Sequence, residues 1–206
     1  MKTLLQINAS IFSSAGESSR LADEFVSRWR ARNPRSPVVV RDLARDPVPH
    51  LDAARFKSLV SSAGERSAAQ QAVLDYSDTL VAELKRADVI VIGLPMYNFG
   101  VPSTLKAYFD HIARAGVTFR YTANGPEGLL KGKKAYVFAA RGGLYAGTAL
   151  DTQTAYVRDF LRFIGIEDVE FVYAEGLNIG DAAKQAGLAA AHTAIERLST
   201  PERLAA

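Results

Sequence analysis

Five short apolar runs alternate with helical patterns, and this alternation constrains the fold more than any other feature of the chain. The runs are Leu4–Ile7, Val38–Val40, Val89–Leu94, Ala135–Ala139 and Val169–Tyr173. Between them, apolar residues recur at helical spacing. Leu21, Phe25, Val26 and Trp29 share one face of Ser18–Arg32, with Ser18 or Ser19 as its N-cap. Val73, Leu80, Val81 and Leu84 do so within Ala68–Arg86, and Leu105, Tyr108, Phe109 and Ile112 within Ser103–Arg114. Thr152–Ile164 and the alanine-rich Ala182–Leu198 complete the helices. Strands that alternate with helices predict an α/β fold, a doubly wound parallel sheet with helices on both faces and right-handed crossovers. Five strands in 206 residues favour the order 2-1-3-4-5, in a single domain spanning residues 1–206.

Composition narrows the function. The net charge is +3 and no Lys/Arg block forms a stripe, so no nucleic-acid partner is expected. Cysteine is absent, which excludes disulfides, thiolate nucleophiles and cysteine metal sites. No segment has the apolar length of a membrane span, and Gln6 and Asn8 interrupt the first apolar run, so a soluble, cytoplasmic protein is expected. His50, His111 and His192 lie far apart without ligand spacing, so no metal site is expected.

In such a sheet, ligands bind beyond the carboxyl ends of the strands where the strand order reverses, here between the first and third strands. Three strand ends carry unusual loops. The first is Asn8–Ser19, rich in hydroxyls and running into a helix N-terminus, which suits a phosphate or a serine-rich cap. It lacks both G-x-G-x-x-G and G-K-[ST]. The second, Met96–Gly100, sets Asn98 between Tyr97 and Phe99, and can seat a planar ring with polar edges or close the core. The third, Ala140–Gly147, opens with Ala-Arg-Gly-Gly and offers backbone N–H groups to a ligand, or a plain turn. Residues 43–67 read as a polar excursion, and "GVTFRYTANGPEGLLKGKK" as a turn-rich one.

The stretches "RDLARDPVPHLD", "DVIVIGLPMYNFGVPSTLKAYFDHIARAGVTFRY", "NGPEGL", "RGG" and "FIGIEDVEFVYAEG" resemble the FMN-dependent NADH-azoreductase family, relatives of the NAD(P)H quinone oxidoreductases. The resemblance implies a flavodoxin-like fold, bound FMN, NADH or NADPH as co-substrate, and a homodimer with flavin at the interface. It implies ping-pong, two-electron transfer to quinones and reductive cleavage of aromatic azo compounds. By motif position, Ser10, Gly16, Glu17 and Ser18 would hold the FMN phosphate. Met96, Tyr97, Asn98 and Phe99 would hold the isoalloxazine ring, and Ala140, Arg141, Gly142 and Gly143 its pyrimidine edge. No side chain is expected to act as acid or base; Asn98, Gly142 and Gly143 would tune the flavin. Phe119, Tyr121, Tyr145 and Phe163 would line the substrate pocket. A flavodoxin-type FMN electron carrier to protein partners is the alternative, which the basic pI near 9.2 disfavours.

Overall fold

The computed structural model describes residues 2–200. Strand β1 (Leu4–Asn8) is buried throughout and is followed by a 3-10 turn, Ser13–Ala15, and helix α1 (Glu17–Arg32). Next come β2 (Val38–Asp42), α2 (Ala53–Val60), α3 (Ala68–Arg86), β3 (Val89–Pro95) and α4 (Ser103–Ile112). The second half holds β4 (Phe119–Thr122), β5 (Gly125–Gly128), β6 (Lys134–Ala140), α5 (Thr152–Phe163), β7 (Asp168–Ala174) and α6 (Asp181–Leu198).

All neighbours in the main sheet are parallel, in the order β2-β1-β3-β6-β7. Numbered within the sheet, this is the expected 2-1-3-4-5. Strand β3 is buried at every position, because helices cover both faces and both sets of alternating side chains enter a core. On one face, Phe25 and Trp29 of α1 and Ile195 of α6 pack with Val91, Phe138 and Val172. On the other, Leu84 of α3, Phe109 of α4 and Leu161 of α5 pack with Leu5, Ile90, Ile92 and Val137. Each such side chain, fully buried, contributes on the order of 1.5–3 kcal/mol.

Gly93 sets how close α1 comes to the sheet. A Cβ at this position would stand 3.0 Å from the Ser18 carbonyl oxygen. Glycine thus lets the first turn of α1 settle over the end of β3, beside the point where strand order reverses.

Three expectations change. The polar excursion contains α2, started by the Asp52 side chain accepting from the Arg55 N–H at 2.7 Å. Phe56, Leu59 and Val60 do share one helical face, but the helix is only eight residues long and lies between the breakers Pro49 and Gly64; Phe56 and Val60 are 54% and 64% exposed. The turn-rich segment contains an antiparallel hairpin, β4–β5, outside the main sheet. On α3 it is Leu74, not Val73, that is buried. Among the described residues, no helix is long and apolar enough to cross a membrane.

Candidate functional site

The chain leaves β1 at the reversal point and crosses the carboxyl edge of the sheet. Ser10 is buried there, and its Oγ accepts from the Phe12 N–H at 3.2 Å and lies 3.3 Å from the Tyr97 hydroxyl. Helix α1 then starts without a side-chain cap, on Gly16 rather than the expected Ser18 or Ser19. The N–H groups of Glu17, Ser18 and Ser19 therefore have no acceptor among the described residues. The Ser18 and Ser19 hydroxyls are also fully buried and without a hydrogen-bond partner. Buried polar groups are nearly always hydrogen-bonded. The structure thus gathers donors at a helix N-terminus with nothing among the described residues to receive them. The Glu17 carboxylate turns along the helix to Arg20, 3.3 Å away, and leaves its own N–H free.

The loop after β3 is built as a tight reverse turn. The Tyr97 N–H donates to the Gly100 carbonyl at 3.2 Å, and the Gly100 N–H returns a bond to Tyr97 at 2.9 Å. Between them, Asn98 and Phe99 both have positive φ, 49° and 63°. Two positive φ values with this reciprocal pairing make a type I′ turn. Asparagine tolerates that backbone region; phenylalanine does so only under strain. Neither the Asn98 nor the Phe99 N–H has an acceptor among the described residues. Gln153 of α5 braces it from below, its Nε2 donating to both Pro95 and Gly100 carbonyls at 2.9 Å.

The loop after β6 follows the same logic. The Gly142 carbonyl accepts from the Asn178 N–H at 3.0 Å and that of Gly143 from Gly176 at 2.9 Å. Their own N–H groups have no acceptor among the described residues. Arg141 behaves differently from its neighbours. Its side chain is fully buried, bonded to Asp151 at 2.7 Å and Glu175 at 3.2 Å, and lies over the Tyr173 ring. Only its backbone can face a ligand. Burial acts to raise the Asp151 pKa, but hydrogen bonds from Arg141 and Thr154 outweigh it and hold that carboxyl below its ordinary range. Glu175 also accepts from the Tyr145 and Ala146 N–H groups, both at 2.9 Å, so one carboxylate ties Arg141 to the loop.

These three loops enclose one open cleft of about 240 Å³. Ser10, Gly16, Glu17, Ser18, Met96, Tyr97, Ala140, Arg141 and Gly142 line it. Asn98, Phe99 and Gly143 continue the same loops beyond this lining, where the Phe99 ring meets Tyr145 edge-on at 5.6 Å.

A flavodoxin-like fold family model matches residues 1–198. The chain is 57% identical, over 96% of its length and 98% of the relative's, to an FMN-dependent NADH:quinone oxidoreductase of Cellvibrio japonicus. It is 56% identical, over 95% and 98%, to FMN-dependent NADH:quinone oxidoreductase 6 of Burkholderia lata. The chain belongs to the flavodoxin-like family that contains these oxidoreductases. Among solved structures, an FMN-dependent NADH-azoreductase from Bacillus anthracis in complex with FMN superimposes with a TM-score of 0.86 at 28% identity, covering 97% of this chain and 100% of that one. A second azoreductase structure from Bacillus anthracis gives a TM-score of 0.88 at 25% identity, covering 97% and 99%.

In this flavodoxin-like chain, six lining residues were not among the expected site residues: Phe12, Ala15, Pro95, Leu177, Asn178 and Lys184. The last three come from the β7–α6 connection and α6, where only proximity in space marks them. The expected substrate wall is divided within one chain. Tyr145 lies against Phe99 beyond the cleft lining, whereas Phe119 packs on Phe163 at 4.3 Å and Tyr121 at 5.5 Å. Phe119 and Tyr121 instead line a roomier cavity of about 590 Å³ between α2, the end of α4 and the hairpin.

Proposed function

We propose that this protein is an FMN-dependent NADH:quinone oxidoreductase that also cleaves aromatic azo compounds reductively to amines. The observation that carries this is the set of unclaimed donors around one cleft, in a chain 57% identical to a relative of that named activity. The set fits FMN at both ends. The free N–H groups at the start of α1 and the orphaned Ser18 hydroxyl, which lines the cleft, suit a phosphate. The free N–H groups of Asn98, Phe99, Gly142 and Gly143 suit the polar edge of a flat heteroaromatic ring.

When bound, FMN supplies two-electron redox chemistry between NADH and an acceptor. The protein binds, orients and stabilises charge. Ser10, Gly16, Glu17 and Ser18 hold the phosphate. Met96, Tyr97, Asn98 and Phe99 form the ring's seat, with the Asn98 backbone, rather than its amide side chain alone, presenting a donor. Ala140, Arg141, Gly142 and Gly143 would contribute main chain, and the unclaimed Gly142 and Gly143 N–H groups would be donors for negative charge on a bound flavin. Arg141 keeps that main chain in place from below. No acid or base side chain is required, because quinone oxygens take protons from water. Cleaving an azo bond to two amines takes four electrons, hence two rounds with NADH.

We further propose a homodimer. Phe56, Val60 and Tyr121 are 54%, 64% and 75% exposed around the second cavity, more apolar surface than a solitary chain usually leaves together. In a dimer with flavin at the interface, Phe119, Tyr121 and Phe163 of one chain complete the substrate wall of the other. Sedimentation giving twice the chain mass supports this; a monomer at micromolar concentration overturns it. The enzymatic reading is tested by adding NADH anaerobically to purified protein. Loss of the yellow flavin absorbance, restored by a quinone, is expected; a colourless protein, or one whose absorbance NADH leaves unchanged, overturns it.

A further inference from the structure

We infer that Lys184 is the counter-charge of the phosphate end of the cleft, and that it makes the protein select FMN over unphosphorylated riboflavin. The inference rests on the flavin reading of the cleft and assigns a residue that no motif marked. Lys184 lines the cleft together with Gly16, Glu17 and Ser18. It does so because α1 and α6 pack on the same sheet face, through Leu21, Phe25, Ala191 and Ile195.

Charge bookkeeping within the lining singles this lysine out. Arg141 is the other lining cation, and its guanidinium is committed to Asp151 and Glu175. The lining carboxylate, Glu17, is held by Arg20. Lys184 makes no ion pair or side-chain hydrogen bond among the described residues, although Asp181 lies one turn before it. It also sits in the first turn of α6, the end of a helix where a cation opposes the macrodipole. Its exposed ammonium, placed against local preference and uncommitted at the cleft, is free to meet a ligand charge there.

The magnitudes agree. A phosphomonoester carries about −1.5 to −2 at pH 7. One helix N-terminus offers roughly half a positive charge. The α1 terminus and its buried, unpartnered Ser18 hydroxyl supply directed donors but leave most of that charge unbalanced. A lysine supplies the missing unit as a mobile point charge that reaches the phosphate without a fixed geometry.

The experiment titrates apo-protein with FMN and, separately, with riboflavin, following flavin fluorescence at low and high salt. For Lys184→Gln, the FMN dissociation constant rises about tenfold at low salt and by less at high salt, where the charge is screened. Riboflavin binding stays as in the wild type, and Lys184→Arg keeps FMN binding within about threefold. Equal weakening of both flavins shows a packing defect and overturns the inference. An unmoved FMN constant overturns it as well, including when only the KM for NADH rises, which assigns the lysine to the co-substrate. Wild-type protein that binds neither flavin sinks the functional reading and the lysine's role together; an intact wild type beside an indifferent variant sinks only the latter.

Discussion

Gln153 holds Gly100 in place from inside the protein: its fully buried Nε2 donates to the Gly100 carbonyl, and equally to that of Pro95, at 2.9 Å each. These bonds span the two ends of the loop that carries Asn98 and Phe99. Thr152, the preceding residue, donates to the Phe99 carbonyl from the same helix. The strained turn is therefore supported by α5 as well as by its own Tyr97–Gly100 pair. Gln153→Leu keeps the volume and removes both donors. The Gly100 carbonyl keeps the Tyr97 N–H, so the buried Pro95 carbonyl is the one that loses its donor here, at a cost of about 1–3 kcal/mol. Urea unfolding of the apo-protein should show that loss, and FMN should bind several-fold more weakly because the turn's free N–H groups are no longer held in position. A variant with wild-type FMN affinity would show that the turn holds itself.

Gly142 touches Asn178 so closely that a Cβ would stand 2.7 Å from the Asn178 Nδ2. A β-branched side chain here must push Asn178 aside, and the Asn178 N–H bond to the Gly142 carbonyl with it. Gly142→Val should therefore purify with a reduced FMN content. Gly142→Ala alone should lose less, and Asn178→Ala in the same chain should restore most of that loss. The flavin-to-protein absorbance ratio of each purified variant reads the result; wild-type flavin content in Gly142→Val sinks the assignment of this main chain to the flavin.

Strands and helices were legible because each apolar run feeds a core on a repeating spacing: Val89–Pro95 is buried on both faces, and the Phe25 and Trp29 face of α1 is continuous. Helix α2 was not, because its apolar face, Phe56, Leu59 and Val60, spans only two turns among the breakers Pro47, Pro49 and Gly64. At the site, the loops announced themselves by composition, but the direction of a side chain did not. Arg141 sits in a ligand motif and turns its guanidinium into the protein, while Asn98 owes its place as much to a positive φ as to its amide. Gln153 reaches the turn, and Asn178 and Lys184 the cleft, from elements distant in sequence, and a single sequence carries no sign of that proximity.

Phe99 is the strained member of the turn, at φ 63°. Its ring is half exposed and meets only Tyr145 among aromatic partners, so the strain secures little core. Phe99→Asn should relieve about 1 kcal/mol of backbone strain and offset the lost ring contact, leaving the apo-protein's Tm close to the wild-type value. Quinone reduction should fall, with a raised KM, because the ring that meets Tyr145 at the cleft mouth is gone. A large drop in Tm would instead make Phe99 a structural residue.

His111 gives the fold a pH dependence whose sign can be worked out. Its Nε2 lies 3.0 Å from the Pro49 carbonyl, which can only accept, so Nε2 carries the proton. Nδ1 is buried without a partner, and protonating it would strand a charged N–H. Burial is the main cause that lowers the His111 pKa below its ordinary 6.5; Arg55 and Arg114 add to it, while the Pro49 bond and Asp110 oppose it. A depressed pKa means the unfolded chain binds the proton more tightly than the folded one. The neutral ring's contribution is full above the unfolded value and is lost as pH falls below about 6.5, until the folded group itself titrates. Melting of the apo-protein from pH 7.5 down to about 5.5 should show a falling Tm in the wild type. His111→Gln, which keeps a neutral donor for Pro49, should start lower but fall less steeply. Parallel profiles for the two proteins would mean that another group carries the acid sensitivity.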